Sequence, residues 1–340
     1  MRSRPSTEIG KDPRVIVTAC SLLLILPALS LLYYIRVFGV NVIVLDEWDF
    51  VPLLQKMMGG TLSFSDLFAQ HNEHRIPFAR MVMLALGKLT QYNTVAEMFV
   101  SWVLICFAGL LIFYVYWMNL SHSSHTRLLL GFLPVSFLLF SLKQYESILF
   151  GFPCHIYLMT FGAVLAFALL EVSRKIDVWF VLCILGAILA SFSFIVGLMV
   201  WPTGLLQILI SERKRGPCKP VLWCFAGAIA FASYFGGYVK PSIHPALDYV
   251  LTNPLGAGAY FLTLIGAVFC FDLVMAVAFS LVIVVITVLV LTSGYRERLL
   301  KRNGVWLCRQ SDMSFKPRIF CLTPVRIASQ NVITLESILE

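Results

Sequence analysis

The chain has 340 residues, of which 59% are hydrophobic and 13% charged, with a formal net charge of +8. A mean hydropathy of +0.85 leaves too little polar surface to close a water-soluble globule, which excludes an ordinary soluble enzyme and predicts a polytopic membrane protein. On a soluble chain the positive excess would suggest nucleic acid; here the loops account for it, and no nucleic-acid partner is expected.

Residues 1–14 form a basic leader carrying Arg2, Arg4, Lys11 and Arg14. The apolar run 15–35 is long enough to span, has no small-residue cleavage site after it, and reads as a retained first span with Pro27 as a kink. The loop at 46–92 begins with LDEWDF, and Leu53, Leu54, Met57 and Met58 then recur at helical spacing until Gly59-Gly60 stops the pattern. QHNEHRIPFAR follows, and 76–92 reads as an interfacial helix because it holds Arg80 and Lys88 in an apolar frame.

Further spans are expected at 96–118, 128–142, 154–170, 178–194, 196–210, 221–239 and 273–292, giving eight in all and an all-α transmembrane helical bundle. Several are short, and Pro202 and Gly204 interrupt LMVWPTGLL, which suggests broken helices around a cavity. The 240–272 interval counts as a loop. Residues 15–295 thus form one transmembrane domain, and 296–340 read as a cytoplasmic tail, either disordered or truncated.

Charge placement sets the orientation. Fifteen Lys and Arg fall on the side of the leader, four more in the tail and seven on the opposite side, an asymmetry that favours both termini on the cytoplasmic side of the membrane. The loop at 46–92 is then extracytoplasmic. The nine cysteines form no CxxC pair and are odd in number, so neither a disulfide framework nor a zinc site is indicated.

Asp46, Glu47 and Asp49 surround Trp48, and His71, Asn72, Glu73, His74 and Arg75 follow within the same loop. Taken alone, the acids suit a solvated loop with an aromatic at the headgroup level. Acids able to deprotonate a hydroxyl, beside cations able to hold phosphate, meet the two needs of a transferase with a phosphate-linked lipid donor. Arg75 and Arg80 suit phosphate because the guanidinium fork matches its oxygens, and lipid-headgroup snorkelling is the bland reading of both. His155, at the start of a span, reads as a core histidine. Asp272, the one acid in a long apolar run, is either functional or a span boundary.

Paired acids of the DE or ExD type directly after span 1 (Asp46-Glu47, Glu47-Trp48-Asp49), followed by an interfacial helix, resemble the GT-C superfamily of integral-membrane glycosyltransferases. That superfamily includes the protein O-mannosyltransferases and the lipid A aminoarabinose transferase. ASFSFIVGLMVWPTGLL and AYFLTLIGA are similar to stretches of bacterial members of undefined substrate, and the resemblance covers roughly residues 10–295.

The resemblance implies transfer of a sugar from a polyprenyl-phosphate donor to a lipid, glycan or protein acceptor on the extracytoplasmic face. It makes Asp46 or Glu47 the general base, Asp46 being favoured as first in the motif and nearest the membrane, with Asp49 orienting the acceptor or tuning the base by like-charge coupling. Arg75, Arg80, His74, Lys143 and His244 would bind the donor phosphate. No cofactor is implied for monosaccharide donors, whereas oligosaccharide-transferring relatives use a divalent cation, for which His71, His74 and Glu73 are the candidates. The rival class is a non-enzymatic transporter or lipid-handling subunit of an envelope pathway, which would place ionisable groups at mid-membrane and show internal repeats.

Overall fold

Peptide groups in lipid must be satisfied within the segment that carries them, and the apolar runs accordingly close into helices. A computed structural model of the chain describes residues 13–120, 123–173, 175–211, 218–241, 249–269 and 272–302. Most of the basic leader, His244 and the tail beyond 302 lie outside the described residues. The protein is an all-α polytopic bundle.

The first unit covers residues up to 240. α1 (Pro13–Phe38) leads to a 3-10 helix (Leu45–Phe50), α2 (Val51–Met58), α3 (Phe64–Phe68), the two-residue strands β1 (Gln70–His71) and β2 (His74–Arg75), and α4 (Pro77–Thr90). Then come α5 (Thr94–Leu120), α6 (His125–Leu139), the short α7 (Tyr145–Ile148), α8 (Cys154–Val172), α9 (Val178–Ser191), a 3-10 turn (Ile195–Met199) running into α10 (Val200–Ser211), and α11 (Cys218–Phe235). The second unit holds α12 (Tyr249–Thr252), α13 (Pro254–Gly266) and α14 (Leu273–Arg302).

Among the described residues, six helices are long and apolar enough to cross a membrane: Arg14–Phe38, Thr94–Leu120, His125–Ile148, Cys154–Val172, Cys218–Phe235 and Leu273–Val290. Val178–Ser191 and Ile195–Ser211 are shorter apolar helices at the two positions where short, broken spans are expected from the sequence. The interval 240–272, counted as a loop from its sequence, contains the 13-residue α13, capped by Asn253 Oδ1 on Gly256 N at 3.1 Å. Its glycines and Pro254 mask a helix whose caps are nonetheless clear. Asp272 resolves to a boundary: its carboxylate accepts from Met275 N at 2.9 Å at the start of α14.

α8 is the centre of the first unit. Its most apolar window is 78% buried, against 17–33% for the other long helices of that unit. α9 packs on it through Gly162 and Gly186, where a side-chain carbon on Gly162 would lie 2.7 Å from the Gly186 carbonyl and one on Gly186 2.9 Å from the Gly162 carbonyl. Such close backbone approach is the usual means of joining helices where no solvent drives apolar surfaces together. Around Pro27, which lies inside α1, neighbouring helices supply hydrogen bonds, Ser136 Oγ donating to Leu24 O at 2.6 Å and Trp102 Nε1 to Ala28 O at 2.9 Å.

The helices alternate in direction, and one end of the unit is roofed by the loop. Contacts join the loop to the C-terminal ends of α1 and α11, the N-terminal ends of α5 and α8, and the turn after α9. α4, with 14 residues, is too short at about 21 Å to cross and instead buries Ala79, Arg80, Met83, Leu84 and Gly87 in that roof.

Candidate functional site

LDEWDF forms a 3-10 helix, in which residues three apart eclipse one another. The six residues therefore divide into three faces. Leu45 and Trp48 are 75% and 60% exposed, and they continue an exposed apolar strip of Val37, Phe38, Val40, Val42 and Val44 from the end of α1. Glu47 and Phe50 are 0% and 1% exposed and point into the bundle. Asp46 and Asp49 share the third face, where both meet His71.

His71 is held by the hairpin. HNEH closes β1 to β2 through a two-residue turn at Asn72-Glu73, with Asn72 in the left-handed region at φ 47°, a conformation asparagine tolerates. The register pairs His71 with His74, so both imidazoles project to the same buried side. His71 Nε2 lies 3.4 Å from Asp46 Oδ2 and Nδ1 lies 3.4 Å from Asp49 Oδ2. The Nε2 contact to Asp46 has hydrogen-bond geometry, and the Nδ1 contact to Asp49 is an ion-pair distance. The His71 hydrogen bond holds the Asp46 carboxyl below the usual carboxylate range, with partial burial opposing it and the His71 and His155 charges assisting.

Behind His71 the site is aromatic. Its ring packs 5.2 Å from Phe152, and His155, buried at the start of α8, sits 4.6 Å from Phe152 and 5.3 Å from Phe194. His74 lies 4.1 Å from Phe194 and 6.2 Å from His155. His155 Nδ1 donates to Phe152 O at 2.8 Å, which fixes that tautomer and leaves Nε2 as the acceptor of the neutral ring. In sequence His155 reads as a core histidine; it is buried, and it also adjoins the acid pair. Only the fold brings residue 155 beside residue 46.

The remaining expected site residues separate. Glu47 Oε1 accepts from Phe152 N at 3.0 Å and Oε2 from Val44 N at 3.2 Å, so this acid anchors the 3-10 helix to the turn before α8. Burial pushes its carboxyl up, against the pull of those backbone N–H groups. Arg75 donates Nε to Tyr234 O at 2.6 Å, Nη1 to Phe68 O at 2.9 Å and Nη2 to Gly236 O at 2.6 Å, with its guanidinium carbon 5.2 Å from the Phe68 ring centre. It closes the C-terminal end of α11 onto the hairpin.

Arg80 donates Nη1 to the carbonyls of Asp66, Leu67 and Ala69, closing α3, while its buried Nε has no hydrogen-bond partner. Burial lowers its pKa, opposed by the charges of Asp49 and Asp66, which places Arg80 on the Asp49 side of the site. Lys143 lies half-buried in the turn between α6 and α7. His74 Nε2 is 3.2 Å from Glu73 Oε1, and among the described residues no group of three His, Cys, Asp or Glu side chains is placed to hold a metal ion.

Compared with protein-family models, curated proteins and solved structures, the chain matches none of them.

Proposed function

We propose that the protein is a membrane glycosyltransferase of the GT-C type, moving a sugar from a polyprenyl-phosphate-linked donor to a lipid, glycan or protein acceptor. The observation that carries this reading is the shared face of Asp46 and Asp49. Two solvent-reachable carboxylates stand side by side on one buried imidazole, at the end of the bundle where an exposed apolar strip runs up from α1. A merely solvated loop has no need to bury a histidine beneath its acids.

In this mechanism Asp46 removes the proton from the acceptor hydroxyl and Asp49 orients the acceptor. His71 positions both acids and balances their charge. Arg80, which feels the Asp49 charge, supplies a cationic group for the donor phosphate, and the sugar bond breaks as the acceptor oxygen attacks from the opposite face. Glu47 and Arg75 serve as anchors of the loop. The excess of Lys and Arg at the other ends of the helices favours the loop facing away from the cytoplasm of a bacterial inner membrane, with both termini inside.

The test is transfer by the full chain in lipid vesicles from a panel of polyprenyl-phosphate sugars. Asp46→Asn lowers the rate by about 100-fold or more at unchanged expression, the range expected for loss of a general base. Full activity of both Asp46→Asn and Asp49→Asn would remove the assignment.

A further inference from the structure

Apart from the acids on His71, a second pair of carboxyl groups meets where α5 begins. Glu97 is 2% exposed and Glu47 0% exposed. Glu97 Oε2 is buried and has no hydrogen-bond partner. Both carboxyls close on Gly151, because a side-chain carbon there would lie 2.5 Å from Glu97 Oε2, 2.6 Å from Glu47 Oε1 and 3.2 Å from the Thr94 carbonyl oxygen. Three oxygens thus converge on one spot, and none of them brings a proton of its own.

Among the described residues no cation pairs with either glutamate: the ion pairs are Lys56 with Asp66, His71 with Asp46 and Asp49, and His74 with Glu73. The titratable neighbours are Tyr92, whose hydroxyl donates to the Glu47 carbonyl at 3.2 Å, the fully buried Cys154 of α8, and, on the far side of the 3-10 helix and the Phe152 turn, Asp46, Asp49, His71 and His155. Two buried carboxylates facing each other without a cation cannot both stay ionised.

We propose that Glu47 and Glu97 form a proton-binding site, an acid–carboxylate pair holding one proton between them over Gly151. Glu47 takes the carboxylate part, since it accepts two backbone N–H bonds that favour its ionised form. Glu97 carries the proton, which gives its orphan Oε2 a hydroxyl to donate to Glu47 Oε1 or to the Thr94 carbonyl. The displacement of the Glu47 carboxyl above its usual range agrees with the arrangement.

The consequence is a clasp. The bond ties the 3-10 helix bearing Asp46 and Asp49 to α5, and alkaline conditions open it by releasing the proton to water, leaving two like charges in one buried spot. The sign follows from linkage: the folded state holds a proton the unfolded state has lost, so stability falls as pH rises above the ordinary carboxylate range. The proposal does not depend on transferase activity, and a failed transfer assay leaves it standing.

The test is infrared difference spectroscopy of the full-length protein in lipid, stepped from neutral to alkaline pH. The wild type is expected to lose one carboxylic-acid C=O band and gain one carboxylate band, and both changes should vanish in Glu97→Gln and move to a different pH in Glu47→Gln but persist unmoved in Asp49→Asn. Alongside it, the thermal midpoint of the wild type should fall with rising pH while that of Glu97→Gln, whose amide replaces the acid hydroxyl as donor, stays flat. Absence of a titrating acid band in the wild type, its survival in Glu97→Gln, or an unmoved band in Glu47→Gln overturns the proposal. If neither variant accumulates folded, the wild-type band decides alone.

Discussion

Replacing Arg75 separates an anchoring role from a substrate-binding one. Arg75→Ala removes three charge-assisted hydrogen bonds, to Tyr234 O, Gly236 O and Phe68 O, together with the stacking on Phe68. Hydrogen bonds from a charged donor are each worth about 1.5–3 kcal/mol, and three of them sum to roughly 4.5–9 kcal/mol before compensation. Removing a buried cation also recovers its desolvation cost, and water entering the gap resolvates part of the freed carbonyls. The net loss expected is about 3–5 kcal/mol, in line with breaking a buried charged contact from one side.

Arg75→Lys keeps the charge without the planar fork and should lose about half as much. The assay is reversible unfolding in lipid micelles, followed by helical circular dichroism, with hydrogen exchange read at residues 68–76 and 234–239. An Arg75→Ala protein as stable as the wild type, with unchanged exchange in both segments, would refute the anchoring argument. Loss of transfer without loss of stability would return Arg75 to the substrate.

Two further outcomes test the bundle and the site. Gly162→Ala places a carbon 2.7 Å from the Gly186 carbonyl and 2.8 Å from Ala190 N, so α9 must shift on α8; a loss of about 1–3 kcal/mol in thermal unfolding is expected. His71→Asn withdraws the hydrogen bond that keeps Asp46 ionised, so the Asp46 carboxyl returns toward its ordinary range and the acid limb of the transfer pH profile moves to higher pH. In the wild type the same contact stabilises the fold above the ordinary carboxylate range, and that contribution is lost as pH falls through the lowered value. An acid limb unmoved by His71→Asn would break the link between the two residues.

Hydropathy made the bundle legible, because burying peptide groups in lipid leaves a long apolar run few options but a helix. The eight intervals read as spans all carry helices, but the break falls upstream of the residues expected to cause it. α9 ends at Ser191 and a 3-10 turn covers Ile195–Met199, whereas Pro202 and Gly204 lie within α10, Pro202 in its first turn where a missing N–H is tolerated. α13 escaped because its capping residues sit in an interval whose Pro and Gly content reads as loop. The loop was legible as a cluster of reactive side chains but not in its division of labour. Asp46 and Glu47 are neighbours in sequence, and only the 3-10 geometry sends one to His71 and the other to Phe152 N. Arg75 looked free to bind phosphate because two of its three carbonyl partners, Tyr234 O in the last turn of α11 and Gly236 O just past its end, lie some 160 residues further along the chain. Nothing local could announce Glu97 as the neighbour of Glu47.

The acid-bearing turn is written as two successive triplets, Leu45-Asp46-Glu47 and Trp48-Asp49-Phe50, each spelling out exposed apolar side, histidine-facing side and core side in the same order. Composition alone therefore says little about it. Inserting a single letter between the triplets would throw the second out of phase by a third of a turn, pairing Asp46 with the wrong neighbour while keeping every acid. Deleting or adding a whole triplet would preserve the phase. Variation in such a segment is thus punished by its reading frame more than by its chemistry, and a search that counts acids without minding their order will rank broken versions beside working ones.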